Sequence, residues 1–363
     1  MAEMLTDRQT ALKRIDLLAL ATVADVVDLT GENRTIVQLG LEKIRRNPHP
    51  AIWSLCEVRQ QDYRTATSET LAFYLAPLIN ASNRIPRAPG VQNPALRLLL
   101  EHDAAASIDL RELLKERRFL QERVEKTIDL TLARQQGRMI HILTADSPDA
   151  FHEGIAGLIA STIVERTGKP ALAIGQSKNK TLKGSGRSVA AYHLKHALDR
   201  QAAQLLGYGG HAPAAGFSLA VDQLPAFREA MFQDAERELR ATPLQSVLQI
   251  AATVPCNTLA AILTKRREAF AEALERMGPF GKAREAPALL VPGVTVQKTQ
   301  DTGPLGRHLR LDTNAGVMQA FFLGKPHERP TPGSLYDIVL TPSAAGTHIQ
   351  LLVQSMRKHD ALS

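Results

Sequence analysis

A strand–helix–strand pattern in the middle of the chain constrains the fold more than any other feature of this sequence. Residues 139–143 (MIHIL) and 170–174 (PALAI) have the length and apolar composition of short buried strands. Residues 152–167 between them have a helical composition, and Gly168, a residue typical of helix ends, follows. The order strand, helix, strand predicts an α/β unit.

Two glycine-rich segments follow this unit. We interpret residues 184–188 (GSGRS) and 209–216 (GGHAPAAG) as turns, joined by an amphipathic helix over residues 190–206. Glycine lets a backbone come close to a ligand, and arginine, serine and backbone N–H groups suit a phosphate. The pattern predicts a phosphate site, and our working hypothesis is a phosphate of a nucleic acid. The candidate ligands are Ser185, Arg187, Ser188, Gly209, Gly210 and His211.

An apolar run near the N-terminus contains two carboxylates. Residues 15–27 (IDLLALATVADVV) have the composition of a buried helix or strand, and Asp16 and Asp25 interrupt them. A carboxylate in such a run needs a partner. For Asp25 we keep two interpretations, a helix N-cap or buried hydrogen bond and a metal ligand.

Three further polar residues lie at predicted helix ends. Residues 67–79 predict an amphipathic helix, and Asn80 and Arg84 follow it. His152 stands at the entrance of the helical segment of the α/β unit. Each of these residues is interpreted either as a helix cap or as a ligand-binding residue.

The remaining segments predict a long helix and a β-rich tail. Residues 109–135 read as a charged helix that connects two domains, and residues 261–277 as another helix. Residues 288–358 contain five short apolar segments separated by Gly/Pro turns, which suits a small β-barrel of the oligonucleotide-binding type.

The tail also offers a candidate nucleic-acid face. Arg307 and Arg310 with Phe321 and Phe322 would make a basic, aromatic surface. Alternation along a strand buries at least one of the two phenylalanines, so both also suit the core.

Composition limits the class of protein. The net charge of +7 over 363 residues weakly favours a polyanionic partner. Cys56 and Cys256 make neither a disulfide framework nor a zinc motif, and we interpret them as buried thiols in a reducing compartment. The first 14 residues lack an apolar signal-peptide core, and no run of 18 apolar residues exists. We therefore expect a cytoplasmic protein without a membrane partner.

Seven separated motifs occur together in one order. They are TVADVV (22–27), ENR (32–34), LINASNR (78–84), HEGIAGLIAS (152–161), GSGRS, GGHAPAAG and GPFG (278–281). In this order they resemble the RecJ single-strand-specific exonucleases of the DHH phosphoesterase superfamily, over nearly the whole chain.

The resemblance implies a fold of α/β class plus a small all-β barrel. It implies a remnant of the DHH catalytic domain (1–90), a connecting helix (91–137), a DHH-associated phosphate-binding domain (138–240), a helical connector (241–286) and an oligonucleotide-binding barrel (287–363).

The same resemblance implies a 5′-to-3′ exonuclease of single-stranded DNA, active in DNA repair and recombination, that uses two Mn²⁺ or Mg²⁺ ions. Asp25 matches the family's last metal-binding aspartate, and Ser185 and Arg187 match residues that hold a terminal 5′ phosphate. Arg84 matches a DNA-contacting arginine, and His152 and His211 fall in substrate-side motifs.

The chain also departs from the family pattern. The family's Asp-rich motif and its Asp-His-His triplet would lie before residue 1. Leu78 replaces an Arg of the family pattern, and Asn83 replaces a Gly. Residues 282–287 (KAREAP) occur where the family usually has Gly-Asn-Pro. A single aspartate cannot hold two divalent metals.

We therefore expect a chain that is inactive alone and completed by a second chain that carries the missing motifs. A non-catalytic single-strand-binding or scaffold protein derived from such an enzyme is the alternative. A decaying gene fragment is a third interpretation.

Overall fold

The computed structural model describes residues 12–145, 151–176, 181–240, 248–301, 309–313, 318, 320–322, 330–346 and 348–359. The chain divides into two units. The first combines residues 1–77 with residues 248–363, and the second is residues 78–247.

The N-terminal part of the first unit is helical. Its helices are α1 (Ile15–Ala24), α2 (Gly31–Arg46), α3 (Pro50–Arg59) and a π-helical turn (Thr70–Leu75). Helix α4 (Ala76–Ala81) follows, and its residues from Leu78 onward belong to the second unit. Helices α1 and α2 pack closely, since a Cβ on Gly40 would lie 2.3 Å from the Cβ of Ala19.

The buried carboxylate of α1 is Asp16. It accepts hydrogen bonds from the Lys43 ammonium and, at 2.7 Å, from the backbone N–H of His49. Asp25 is exposed directly after α1, so the expectation of an N-cap or a buried hydrogen bond at Asp25 was wrong. Asp25 is the C-cap residue of α1, and its backbone N–H donates to the carbonyl of Ala21.

The second unit begins with helices and continues as an α/β domain. In chain order it contains α5 (Pro94–Leu100), α6 (Ala106–Arg134), β1 (His141–Thr144), α7 (Glu153–Thr167), β2 (Ala171–Gln176), β3 (Thr181–Arg187), α8 (Leu194–Asp199), β4 (Gly207–Gly210), β5 (Ala214–Ala220) and α9 (Leu224–Leu239). The predicted α/β unit is confirmed, because β1 and β2 pair in parallel on either side of α7.

The five strands form a sheet in the order β1-β2-β3-β5-β4, and every pair except β1–β2 is antiparallel. One hydrophobic cluster contains side chains from the sheet, α8 and α9. A second cluster joins Val124 and Ile128 of α6 to Ile155 and Ile159 of α7 and to sheet residues. Helices α6 and α7 are therefore held together by a packed core.

Three local predictions in this unit were wrong in whole or in part. GSGRS is not a turn, because residues 184–187 belong to β3 and pair with β5. Of the GGHA segment, Gly209 and Gly210 lie in β4, and only residues 211–213 form the connection to β5. The expected helix over 190–206 shrinks to α8 and a 3₁₀ turn (Ala202–Gln204), because the chain must enter β4 at Gly207.

The C-terminal part of the first unit is a β domain with two helices. Its elements are β6 (Ile250–Thr253), α10 (Cys256–Lys265), α11 (Arg267–Met277), β7 (Ala288–Asp301), β8 (Leu309–Thr313), β9 (Ala320–Phe322), β10 (Leu335–Ala345) and β11 (His348–Lys358). All five predicted strands are present, and β6 is an additional strand that the sequence did not reveal.

Within the described residues the strands are ordered β6-β7-β10-β11-β9, with β8 paired to β7. The expected α/β class with an additional C-terminal β domain is confirmed, but within the described residues the strands of that domain do not close into the expected barrel. Among the described helices, none is long and apolar enough to cross a membrane.

Candidate phosphate-binding site

Strand β3 places Ser185 and Arg187 on the same face of the sheet, because side chains alternate along a strand. Both residues are half-buried. Arg187 Nη1 donates to Ser185 Oγ at 3.1 Å and to the carbonyl of Gly186 at 2.8 Å. The hydroxyl and the guanidinium therefore form one hydrogen-bonded donor group.

Two glycines of α7 bring the helix against this group. Gly154 and Gly157 are three residues apart and share one helix face. A Cβ on Gly157 would lie 2.8 Å from Arg187 Nη2 and 3.1 Å from Ser185 Oγ. A Cβ on Gly154 would lie 2.1 Å from the carbonyl oxygen of Arg84. The glycine face of α7 thus lies between Arg84 and Arg187.

The two arginines are electrostatically coupled. Burial lowers the pKa of Arg187, and the positive charge of Arg84 lowers that pKa further. Burial also lowers the pKa of Arg84. Within the described residues neither guanidinium forms an ion pair with a carboxylate. Two partly desolvated cations without a carboxylate partner favour binding of an anion.

His152 is the N-cap of α7. Its Nδ1 accepts a hydrogen bond of 3.0 Å from the backbone N–H of Gly154, and the side chain is exposed. The cap interpretation is confirmed, and a role in substrate binding stays a prediction.

Ser188 and the second glycine segment lie near the end of β3. The Ser188 hydroxyl donates to the carbonyl of Tyr192 at 2.6 Å, so its proton already has an acceptor. Gly210 has a φ of 142° and its Cβ would lie 2.4 Å from the carbonyl of Ala214, so only glycine fits there. His211 is exposed in the connection between β4 and β5.

Asn80 is half-buried on α4, and Arg84 follows that helix in the same unit as β3 and α7. Asp25 and Arg310 belong to the other unit. Of the two arginines predicted to bind DNA, Arg310 lies in β8 and Arg307 lies outside the described residues. Phe321 and Phe322 both lie in β9, and Phe321 is half-buried. The structure therefore brings together Ser185, Arg187 and Arg84 among the predicted site residues.

The described residues do not fit a metal centre by themselves. No group of three or more His, Cys, Asp or Glu side chains that could hold a metal ion occurs in the described part of the chain. Asp25, the one expected metal ligand, is exposed. A two-metal centre needs several oxygen or imidazole ligands.

Comparison with known proteins shows the family to which this chain belongs. Residues 139–237 match the DHHA1 domain family. The chain is 31% identical to the single-stranded-DNA-specific exonuclease RecJ of Bacillus subtilis (strain 168), over 90% of the chain and 41% of that protein. It is 30% identical to RecJ of Thermus thermophilus, over 97% of the chain and 49% of that protein.

Comparison with solved structures gives the same family relationship. The crystal structure of T. thermophilus RecJ in complex with Mg²⁺ aligns with a TM-score of 0.74 and 27% identity, over 96% of this chain and 53% of that one. This chain is a RecJ-type polypeptide. The Mn²⁺ complex of the same protein aligns with a TM-score of 0.73 over 97% of this chain and 50% of that one. The RecJ-type chain spans about half the length of the curated relatives it matches.

The RecJ resemblance inferred from the seven motifs is therefore confirmed. The sequence did not reveal the spatial role of Gly154 and Gly157. Their spacing of three within a predicted helix was the available signal, since it places two positions without side chains on one face.

Proposed function

We propose that this RecJ-type chain binds the 5′-terminal phosphate of single-stranded DNA and serves 5′-to-3′ exonucleolytic cleavage in DNA repair and recombination. The observation that carries the proposal is the pair Arg84 and Arg187, two half-buried guanidiniums without a carboxylate partner in the described residues, next to Ser185.

The chemistry of these three residues suits a terminal phosphate. Arginine presents a planar fork of N–H donors that matches phosphate oxygens, and the Ser185 hydroxyl adds another polar group. The partial burial of Arg84 and Arg187 strengthens a charge-assisted hydrogen bond relative to one in water. Holding the strand by its end would set the distance from that end to the bond that is cut.

The proposed organisation follows the family. Residues 1–90 would be the remnant of the catalytic domain, 91–137 the connecting helix and 138–240 the phosphate-binding domain, with 241–286 as a connector. Residues 287–363 would form the oligonucleotide-binding barrel, where Arg307 and Arg310 contact the DNA backbone. Asn80, Ser188, Gly209, Gly210, His152 and His211 would line the substrate path.

Hydrolysis would depend on Mn²⁺ or Mg²⁺. Because the described residues do not fit a metal centre by themselves, we propose that the ligands other than Asp25 come from protein outside residues 1–363, such as a second chain that carries the DHH motifs. The metal pair, when bound, would supply the activated water. Such an enzyme would act in the cytoplasm.

A co-expression experiment tests the catalytic proposal. The chain is produced with a polypeptide that carries the DHH motifs, and a 5′-phosphorylated single strand is supplied with Mn²⁺. Degradation by the pair and by neither chain alone is expected. If the two chains neither associate nor degrade DNA together, the split-enzyme proposal is wrong.

The alternative is a non-catalytic single-strand-binding or scaffold protein. No group of three or more His, Cys, Asp or Glu side chains that could hold a metal ion occurs among the described residues, and this favours the alternative. Salt-dependent binding without metal-dependent turnover would establish it. Arg187→Glu separates the two functions, because it abolishes discrimination of the 5′ phosphate in an enzyme and only weakens binding in a scaffold.

A further inference from the structure

A cavity lies within the first unit, between α2, the segment before the π-helical turn, α11 and β10. Its volume is about 390 Å³. Small-molecule sites in proteins have volumes of roughly 300–1,000 Å³. All residues that line the cavity belong to the first unit, whereas Ser185, Arg187 and Arg84 belong to the second. The cavity is therefore a different site from the candidate phosphate-binding site.

Hydrogen bonds between distant segments hold the walls of the cavity in place. The Ser68 hydroxyl donates to the carbonyl of Phe280 at 2.7 Å, and Gln38 Nε2 donates to the carbonyl of Gly278 at 3.2 Å. These bonds join α2 and the segment before the π-helical turn to the segment after α11. Because the walls are fixed to one another, a ligand would enter a preformed site, which lowers the entropic cost of binding.

Glu69 lines this cavity and is half-buried. Its Oε2 accepts a hydrogen bond of 2.5 Å from the Ser343 hydroxyl of β10. The Glu69 side chain does not cap the π-helical turn that it precedes. Among the described residues it forms no ion pair, and the Arg45 guanidinium of the cavity wall instead lies 3.9 Å from the carboxylate of Glu275. The Glu69 carboxylate is thus held in place without a cation to neutralise it.

The lack of an ion pair distinguishes Glu69 from comparable carboxylates. Every other half-buried or buried carboxylate whose exposure the structure describes has an ion pair. These residues are Asp16, Asp103, Glu125, Glu153, Asp234, Glu236 and Asp337. A partly desolvated carboxylate without a cation costs free energy unless a ligand compensates it. The exception lies in the wall of a cavity that is large enough for such a ligand.

The rest of the wall combines negative charge with apolar surface. Glu42 and Glu275 add two carboxylates to that of Glu69, against the guanidinium of Arg45. Arg45 Nε already donates to the carbonyl of Ala66 at 2.8 Å. The apolar side chains of the wall are Leu39, Leu41, Leu274, Pro279 and Phe280. An excess of carboxylates repels anions and attracts cations, and the apolar side chains suit a hydrocarbon body.

We propose that this cavity binds a small organic cation, whose charged group pairs with the Glu69 carboxylate and whose apolar body contacts the leucine and phenylalanine side chains of the wall. An amidine or a primary amine attached to an aromatic ring has this chemistry. Because the walls come from α2, α11 and β10, the bound cation would link the helices of the first unit to its β domain and stabilise that unit.

Two probes of the same shape test the proposal. Benzamidine carries a positive charge and benzamide is neutral, and the full chain is titrated with each by calorimetry. Glu69→Gln removes the charge and keeps the size of the side chain. Leu39→Trp fills the cavity from a partly exposed position. Glu272→Gln is the matched control, since Glu272 is an exposed glutamate of α11 that does not line the cavity.

We expect the wild-type protein to bind benzamidine about tenfold or more tightly than benzamide. Glu69→Gln should bring the ratio of the two Kd values close to one and leave the Kd of benzamide unchanged, a result that a merely structural role of Glu69 would not produce. Leu39→Trp should weaken the binding of both probes. The Glu272→Gln control should match the wild type.

Several outcomes would overturn the proposal. A wild-type protein that binds neither probe, or binds both equally, has no cation site in this cavity. A Glu69→Gln variant that keeps the wild-type preference shows that Glu69 does not bind the charge. Should Glu69→Gln fail to fold, Leu39→Trp decides, because an unchanged Kd of benzamidine in that variant places the cation elsewhere. The titrations contain neither DNA nor metal, so their results do not depend on the proposed function.

Discussion

The guanidinium of Arg187 occupies the space that a side chain at residue 157 would need. Its Nη2 lies 2.8 Å from the position of a Cβ on Gly157, and the Ser185 hydroxyl lies 3.1 Å from the same point. A glycine in HEGIAG and an arginine in GSGRS, thirty residues apart, thus form one packed contact. Gly157 of α7 therefore leaves room for the Arg187 side chain of β3.

Gly157→Ala is expected to disturb the phosphate site more than the fold. The new methyl group meets the far end of a flexible side chain, so Arg187 moves and the helix gains the propensity of alanine. We expect a change of no more than about 1 kcal/mol in the free energy of unfolding, with a loss of about tenfold in affinity for a 5′-phosphorylated strand. Denaturant unfolding and fluorescence anisotropy measure the two quantities.

Gly154→Ala is the matched comparison on the same helix face. Its methyl group would lie 2.1 Å from the backbone carbonyl of Arg84, which cannot rotate away. We expect destabilisation by about 1–3 kcal/mol. Equal losses of stability in the two variants would contradict the assignment of Gly157 to the site.

Gly184→Ala is expected to destabilise the five-stranded sheet. Gly184 pairs with Phe217 across β3 and β5, and its Cβ would lie 2.1–2.7 Å from three atoms of the Phe217 ring. We expect a loss of about 1–3 kcal/mol or more in the free energy of unfolding, measured by urea denaturation.

Gly216→Ala provides the control, since Gly216 is exposed in β5 and the nearest atom to its Cβ position is 3.9 Å away. This variant should be neutral or more stable by up to about 1 kcal/mol. A neutral Gly184→Ala would show that Phe217 does not cover that position.

Asp234→Asn is expected to lower stability in a pH-dependent way. The buried Asp234 carboxylate accepts hydrogen bonds from Tyr192 at 2.7 Å and from Arg200 at 2.6 and 2.8 Å. Burial alone would raise the pKa of Asp234, but the bonds from Arg200 and Tyr192 outweigh it and lower that pKa. We expect a loss of about 2–4 kcal/mol at neutral pH.

The sign of the pH dependence follows from the lowered pKa. The contribution of Asp234 is complete above the pKa of the unfolded chain, about 3.9, and is lost as pH falls through the lower folded value. The difference in the free energy of unfolding between the wild type and Asp234→Asn should therefore decrease below about pH 4. Unfolding curves measured at several pH values from about 2.5 to 7 check this prediction. A difference in the free energy of unfolding that stays constant over this range would refute it.

His141→Gln is expected to flatten the pH profile of stability between about pH 4 and 6.5. His141 is buried at the start of β1, and burial, followed by the charge of Lys169, lowers its pKa to about 4. The unfolded chain binds the proton first as pH falls, so stability is complete above about pH 6.5 and declines toward pH 4.

The expected wild-type loss attributable to His141 is up to about 3 kcal/mol over this interval. Urea denaturation of both proteins at several pH values measures it. Parallel profiles for wild type and His141→Gln would contradict the prediction.

Local patterns in the sequence predicted the elements whose formation depends on neighbouring residues. Residues 139–143 and 170–174 are apolar in short runs, and they became β1 and β2 around α7. The charged periodicity of 109–135 predicted α6, and the alternating tail predicted β7 to β11. Periodicity is a property of consecutive residues, so it can be read without the fold.

Contacts between residues distant in the sequence determined the features that local patterns predicted wrongly. GSGRS reads as a turn because glycine is common in turns, yet Gly184 lies in a strand where the Phe217 ring takes the place of a side chain. Of the two aspartates near the N-terminus, only Asp16 is buried, because Lys43 and His49 from α2 and the segment before α3 reach it.

By itself, the sequence determined β1 and β2 on either side of α7, the long helix α6, the strands β7 to β11, the RecJ-type motifs and the presence of Ser185 and Arg187 in one segment. Only the tertiary structure decided that Arg84 and Arg187 lie against the two glycines of α7, Arg84 at Gly154 and Arg187 at Gly157. The physical reason is that the packing of α7 on β3 and on the segment after α4 brings these residues together. No spacing along the chain encodes that packing directly.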